Sequence, residues 1–95
     1  MVSLSSIGSS GLQAAQLRLD ASANNVANAN TPGYRRLSVA QQAVADSAGV
    51  RATVEREANE KGVALEQEAV EQMSATYAFK ASLQTIKTQD QMLGS

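Results

Sequence analysis

The chain has 95 residues, no cysteine, no histidine and a formal net charge of −1. Those absences exclude disulfides, thiol chemistry and every histidine-based metal or acid–base site, and the charge balance gives no global field for nucleic acid. Hydrophobic residues make up 43% of the chain but aromatic ones only 3%, so much of the apolar content is alanine, which adds little burial but lets helices approach closely.

A chain of this length is enough for one small domain spanning 1–95, and it buries only about 60–65% of its unfolded surface. No apolar run approaches a membrane span, so no direct membrane insertion is expected. Met1-Val2-Ser3-Leu4 lacks a basic region followed by a hydrophobic core, so no cleaved signal of the ordinary type is expected. Residues 1–10 are serine-rich, and the early serines are candidate helix caps. Gly8 and Gly11 weaken helix by about 1 kcal/mol each, so this end is expected to fray unless a partner orders it.

Leu12, Ala15, Leu19, Ser22 and Val26 recur at alternating three- and four-residue steps, and the stripe extends back through Gly8 and Ser5. Leu4, Ile7, Ala14 and Leu17 lie to one side of it. The spacing predicts an amphipathic helix over about 5–28, roughly 35 Å long. Its seam is thin and needs a partner helix.

The stretch 22–35 then breaks the pattern. It holds Asn24, Asn25, Asn28 and Asn30, followed by Thr31-Pro32-Gly33-Tyr34. Pro32 disfavours helix at Thr31, so the helix ends at or before Asn30. Proline and glycine suit the two central positions of a type II turn, placing a turn over 29–36. Asn24 and Asn28 share a helix face, and Asn30 is a candidate left-handed cap. Asparagine both donates and accepts, so the cluster can tie a helix end to neighbouring backbone. The bland alternative is that the asparagines merely fray the helix into its turn. The Arg35-Arg36 pair is too short for a basic patch and reads as a solvated flank.

After Tyr34 the period becomes two. Leu37 and Val39 alternate with Arg36 and Ser38, and Val50, Ala52 and Val54 alternate with Arg51, Thr53 and Glu55. With Asp46-Ser47-Ala48-Gly49 as the turn, this predicts a hairpin over about 35–44 and 50–56, within a hairpin-and-connector segment 37–62. Ala40 to Ala45 is ambiguous and reads equally as a short helix. A lone hairpin is marginal in water, so this one should lie on the helices or add to another subunit.

A second long helix follows over about 63–93. Glu66, Glu68 and Glu71 sit early and Lys80 and Lys87 late, as the helix dipole favours. Leu65, Ala69, Met73, Thr76, Phe79, Leu83, Ile86 and Leu93 form one stripe, widened by Val70 and Tyr77. If Leu83 or Ile86 is buried, its replacement by alanine should cost a few kcal/mol. Asp90 falls between Ile86 and Leu93, which means an open end or a partner in an assembly. The expected fold is mainly α: two long antiparallel, coiled-coil-like helices joined by a turn and a short β-hairpin or irregular middle segment.

No catalytic set is legible. Serines abound without a histidine, and nothing places a lysine beside one. Glu55/Glu57 and Glu66/Glu68 are carboxylate pairs in stretches that read as solvated. Gly8-Ser9-Ser10-Gly11 lacks the lysine and preceding strand of a phosphate loop, and no acidic loop has calcium-ligand spacing. A non-enzyme is expected, with no cofactor, metal or small-molecule substrate.

Residues 23–34, Ala-Asn-Asn-Val-Ala-Asn-Ala-Asn-Thr-Pro-Gly-Tyr, closely resemble the N-terminal signature of bacterial flagellar axial proteins: the rod, hook and hook-associated proteins. The preceding Leu12-Gln13-Ala14-Ala15-Gln16-Leu17-Arg18-Leu19-Asp20 is similar to the helix those proteins carry before the motif. Leu65 to Val70, Tyr77 to Ser82 and Ile86 to Gly94 resemble the family's C-terminal segment. The resemblance implies a structural rod subunit of the basal body, on the periplasmic side, exported through the type III channel without a cleaved signal. Its partners would be other axial proteins, copies of itself and the export apparatus. Asn24, Asn25, Asn28, Asn30, Thr31, Pro32, Gly33 and Tyr34 would be the assembly motif, with Leu12, Ala15, Leu19, Val26, Met73, Phe79, Leu83, Ile86 and Leu93 packing the helices. The short middle implies a proximal-rod type or a reduced paralogue, and the ending at Leu93-Gly94-Ser95, where relatives continue, implies a truncated or degenerate member. The alternative is a helical adaptor or regulator that binds rod proteins or the export apparatus without joining the filament.

Overall fold

A computed structural model of the protein describes residues 4–45, 49–58 and 62–93. Helix α1 runs Leu4–Ala27, strand β1 Leu37–Ala43, strand β2 Val50–Arg56 and helix α2 Leu65–Leu93. The mainly α fold is as the sequence predicts, two long helices with an antiparallel hairpin between them. The helices pair antiparallel: Gly8 faces Ile86 at one end, and Asn25 meets Glu68 at the other. The molecule is elongated, 55 × 24 × 13 Å.

Of the ambiguous stretch, Ala40 to Ala43 lies in strand β1, and Val44 and Ala45 follow its end. Leu37 pairs with Arg56 and Ala43 with Val50, and the Val44 N–H donates to the Gly49 carbonyl at 2.9 Å. The predicted turn residues Asp46, Ser47 and Ala48 lie outside the described residues. The hairpin lies lengthwise on α1, held at both ends by helix side chains. The Ser10 hydroxyl accepts from the Val50 N–H at 3.0 Å, and the Asn25 amide bonds the Leu37 backbone. Lengths explain the fit: Ser10 to Asn25 spans about 22 Å of helix, and seven strand residues span about 20 Å.

The apolar core is alanine. Among the described residues the buried hydrophobic side chains are Ala14, Ala15, Ala21 and Ala75. Ser22, Asn25 and Glu68 are buried with them. Small residues allow the helix axes to close. A methyl group on Gly8 would lie 2.6 Å from Ile86 Cγ1, and one on Gly11 would overlap the Ser82 hydroxyl. The glycines that were expected to fray this end are where α2 packs on it.

The pairing faces differ from the predicted stripes. On α1 the face toward α2 is Gly8, Gly11, Ala15, Arg18, Ser22 and Asn25, joined to α2 through contacts and bonds of Ile86, Ser82, Glu71, Gln72 and Glu68. Of the predicted seam, Ala15 is buried, Leu12 and Leu19 are half-buried, and Val26 is 42% exposed. The hairpin runs beside the flank of α1 that carries Ala14 and Leu17, and the two together line a cleft. On α2 the difference is larger. Phe79 and Ile86 are half-buried, but Leu65, Met73 and Leu83 are exposed, and so is Asp90. The α2 face toward α1 carries Glu68, Gln72, Ala75 and Ser82, together with Ile86 of the predicted stripe. Leu93 ends the helix, and its side chain lies outside what the structure describes.

Candidate functional site: the asparagine junction

The asparagine stretch forms the corner where α1, the turn, the hairpin and α2 meet. Helix α1 tightens as it ends: the Asn28 N–H donates to the Asn24 carbonyl at 3.1 Å, then the Ala29 N–H to Val26 at 3.2 Å. The Thr31 N–H bonds Asn28 at 3.0 Å and the Tyr34 N–H bonds Thr31 at 3.2 Å. This last bond closes the Thr31-Pro32-Gly33-Tyr34 turn, with Gly33 at φ 73°, the sign a type II turn needs.

Three of the four signature asparagines bond within the chain. Asn28 donates through Nδ2 to the Asn24 carbonyl at 3.0 Å and to Asn24 Oδ1 at 3.2 Å, and its own Oδ1 accepts from the Thr31 hydroxyl at 3.1 Å. The Tyr34 hydroxyl lies 2.9 Å from Asn24 Oδ1 and 2.8 Å from Asn25 Oδ1, so one phenolic proton serves two acceptors. Asn30 and Pro32 are exposed on the turn.

Asn25 is the centre of the corner, with 1% of its surface exposed. Its amide reads the Leu37 backbone as a neighbouring strand would. Nδ2 donates to the Leu37 carbonyl at 2.8 Å, and Oδ1 accepts the Leu37 N–H at 2.8 Å. The same Nδ2 also donates to Glu68 Oε1 at 3.3 Å. Register of the hairpin is thus tied to the last turns of α1.

Glu68 and Arg36 correct the sequence reading of solvated charges. Glu68 is fully buried. Its Oε2 accepts from Arg36 Nε at 2.5 Å, while its backbone carbonyl accepts from the Ser22 hydroxyl at 3.3 Å. Gln72 donates to that hydroxyl at 3.1 Å. The Arg36 side chain is only 12% exposed, and its Nη1 also bonds Glu57 at 3.1 Å. Burial alone would lower the Arg36 pKa; hydrogen bonds and charge from Glu68 and Glu57 outweigh it and hold the pKa above its ordinary value. Arg35, next to it, is exposed, and its carbonyl accepts from Arg56, whose guanidinium stacks 5.5 Å from the Tyr34 ring centre. A second bridge lies along the helix pair, where Arg18 Nε donates to Glu71 at 2.7 Å and Nη2 to Ser74 at 3.0 Å.

Sequence reasoning missed Arg18, Arg36 and Glu68. The usable signal was periodic: Glu68, Gln72, Ala75, Phe79, Ser82 and Ile86 alternate by four and three, as do Gly8, Gly11, Ala15, Arg18, Ser22 and Asn25. A search for large apolar residues passes over such small and polar seams.

Chemically, the groups of this corner hold one another. They neutralise a buried carboxylate and fix the angle at which chain leaves helix. No described helix is long and apolar enough to cross a membrane. Residues 6–35, most of α1 and the whole turn, match the family of the flagella basal body rod protein. The match covers about a third of the chain, and by this segment the chain is similar to flagellar basal body rod proteins. The match does not separate a proximal-rod type from the others. No curated protein matches the chain at a significant level.

Proposed function

We propose that the chain is a structural subunit of the flagellar basal-body rod, seated among other axial proteins by its N- and C-terminal helices, and so contributes to motility. The observation that carries this reading is the position of the match: residues 6–35 fall on α1 and the turn, and Asn25 within them bonds Glu68 of α2. The segment that resembles the family's C-terminal end is therefore the packing partner of the segment that matches its N-terminal end. The short hairpin suits a proximal-rod type, where little projects from the axis. Val26, Met73 and Leu83, exposed in the single chain, would face neighbouring subunits in the rod, whether copies of this chain or other axial proteins. Delivery would be by the flagellar export apparatus, without a cleaved signal, to the periplasmic part of the basal body.

Electron microscopy of basal bodies from a deletion strain tests the reading. Missing or shortened rods and lost swimming are expected, and intact rods with normal swimming would contradict it. Retention of a tagged chain in the cytoplasm of an exporting cell would point instead to an adaptor that binds rod proteins without joining them.

A further inference from the structure

The outward face of α2 carries a second seven-residue repeat. Glu66, Val70, Met73, Tyr77 and Lys80 alternate by four and three, as the seam of a two-helix contact does. Met73 lies two residues from Ala75, about 160° away around the helix. Ala75 is fully buried against α1, while Val70 is 65%, Met73 73% and Tyr77 77% exposed. This face thus points away from α1, and these side chains are left largely exposed by the described residues. Large apolar side chains on the outside and alanine on the inside invert the usual order of a helical hairpin.

We infer that this face binds a second copy of the same chain, α2 against α2, antiparallel about a two-fold axis at Met73. The charges select that occupant. Glu66 lies seven residues before Met73 and Lys80 seven after it, and both are exposed. Reversing one helix about Met73 therefore sets Glu66 of each copy opposite Lys80 of the other, with Val70 and Tyr77 between. A parallel pairing would instead stack Glu66 on Glu66 and Lys80 on Lys80. Ala69 and Thr76 beside the seam keep a shallow groove open, and Met73 is a flexible side chain suited to fill it. A two-fold contact closes on itself. It cannot propagate a tube of subunits that all point one way, so this dimer belongs to the free protein. The contact itself does not depend on the rod assignment, which bears only on placing the dimer in the free protein.

Sedimentation equilibrium of the full chain across the micromolar range tests it. A reversible monomer–dimer equilibrium is expected. Glu66→Lys or Lys80→Glu alone should weaken it about tenfold, since each sets two like-charge pairs face to face, and the double reversal should restore it to within about threefold. Met73→Glu should leave a monomer with unchanged helical circular dichroism, because Met73 is 73% exposed on the face away from α1. The protein has no cysteine, so Met73→Cys reports on the axis directly. It should oxidise to a covalent dimer, while Thr88→Cys, further along the helix, should not, because a disulfide needs Cα atoms within about 7 Å. A monomer at every concentration, a double reversal as weak as the single changes, or equal cross-linking at both cysteines would each overturn the proposal.

Discussion

The two ends of the helix pair are built on different physics. At one end Gly8 meets Ile86 and Gly11 meets Ser82, and the helices hold by close approach. At the other, Ser22 and Asn25 meet Glu68, and Arg36 reaches in from the start of the hairpin. Close approach is a sum of many weak contacts, so it fails gradually. A buried carboxylate is stable only while its partners are present, so the second end fails all at once. The chain exit, the hairpin register and the second helix all depend on that second end. The signature asparagines belong to it, and none belongs to the glycine end.

Substitutions should separate the two ends, with the largest effect at the charged one. Glu68→Ala strands Arg36 with Glu57 alone and opens the buried corner. A cost of about 3–5 kcal/mol is expected, enough to remove a cooperative melt from a chain this small, and a variant that unfolds within about 1 kcal/mol of the native chain would refute the lock. Asn25→Ala leaves the Leu37 backbone groups without their partner, at about 2 kcal/mol; denaturant titration should register it, and no shift of the midpoint would mean the amide is idle. At the other end Gly8→Val should cost about 1–2 kcal/mol by forcing Ile86 aside, and a stabilised variant would mean the helices have room to part. The smallest effect is expected on the outer face. Leu83 is 46% exposed, so Leu83→Ala should change the stability of the monomer by about 0.5 kcal/mol or less. A loss of several kcal/mol would place Leu83 in the core that the sequence stripe suggested.

The elements were legible because each had a local cause. Apolar spacing announced both helices, Pro32-Gly33 announced the turn, and alternation in Leu37 to Val39 and Val50 to Val54 announced the strands. What packs on what was not legible, because the long-range choice ran against the usual rule. Large apolar residues such as Met73 and Leu65 lie outside, and Glu68 lies inside. In sequence, Glu66-Gln67-Glu68 looks like a solvated first turn of a helix, and Glu68 differs from Glu66 only by its place in the small and polar seam that tertiary packing buries. Arg36 was hidden in the same way, since its neighbour Arg35 is the solvated residue that both seemed to be. The asparagines stood out in the sequence, but their acceptors did not, for Leu37 offers only backbone and Tyr34 was read as part of a turn.

The central claim is that the asparagine signature bonds within its own chain and joins helix end to hairpin. Hydrogen exchange at the Leu37 amide, read by nuclear magnetic resonance in the native chain and in Asn25→Ala, tests it most directly. The Leu37 N–H points at Asn25 Oδ1, 2.8 Å away. It should be protected in the native chain and exchange about tenfold faster in the variant. Equal exchange in the two proteins would mean that the bond does not hold in the free chain, and the account of the junction would fall.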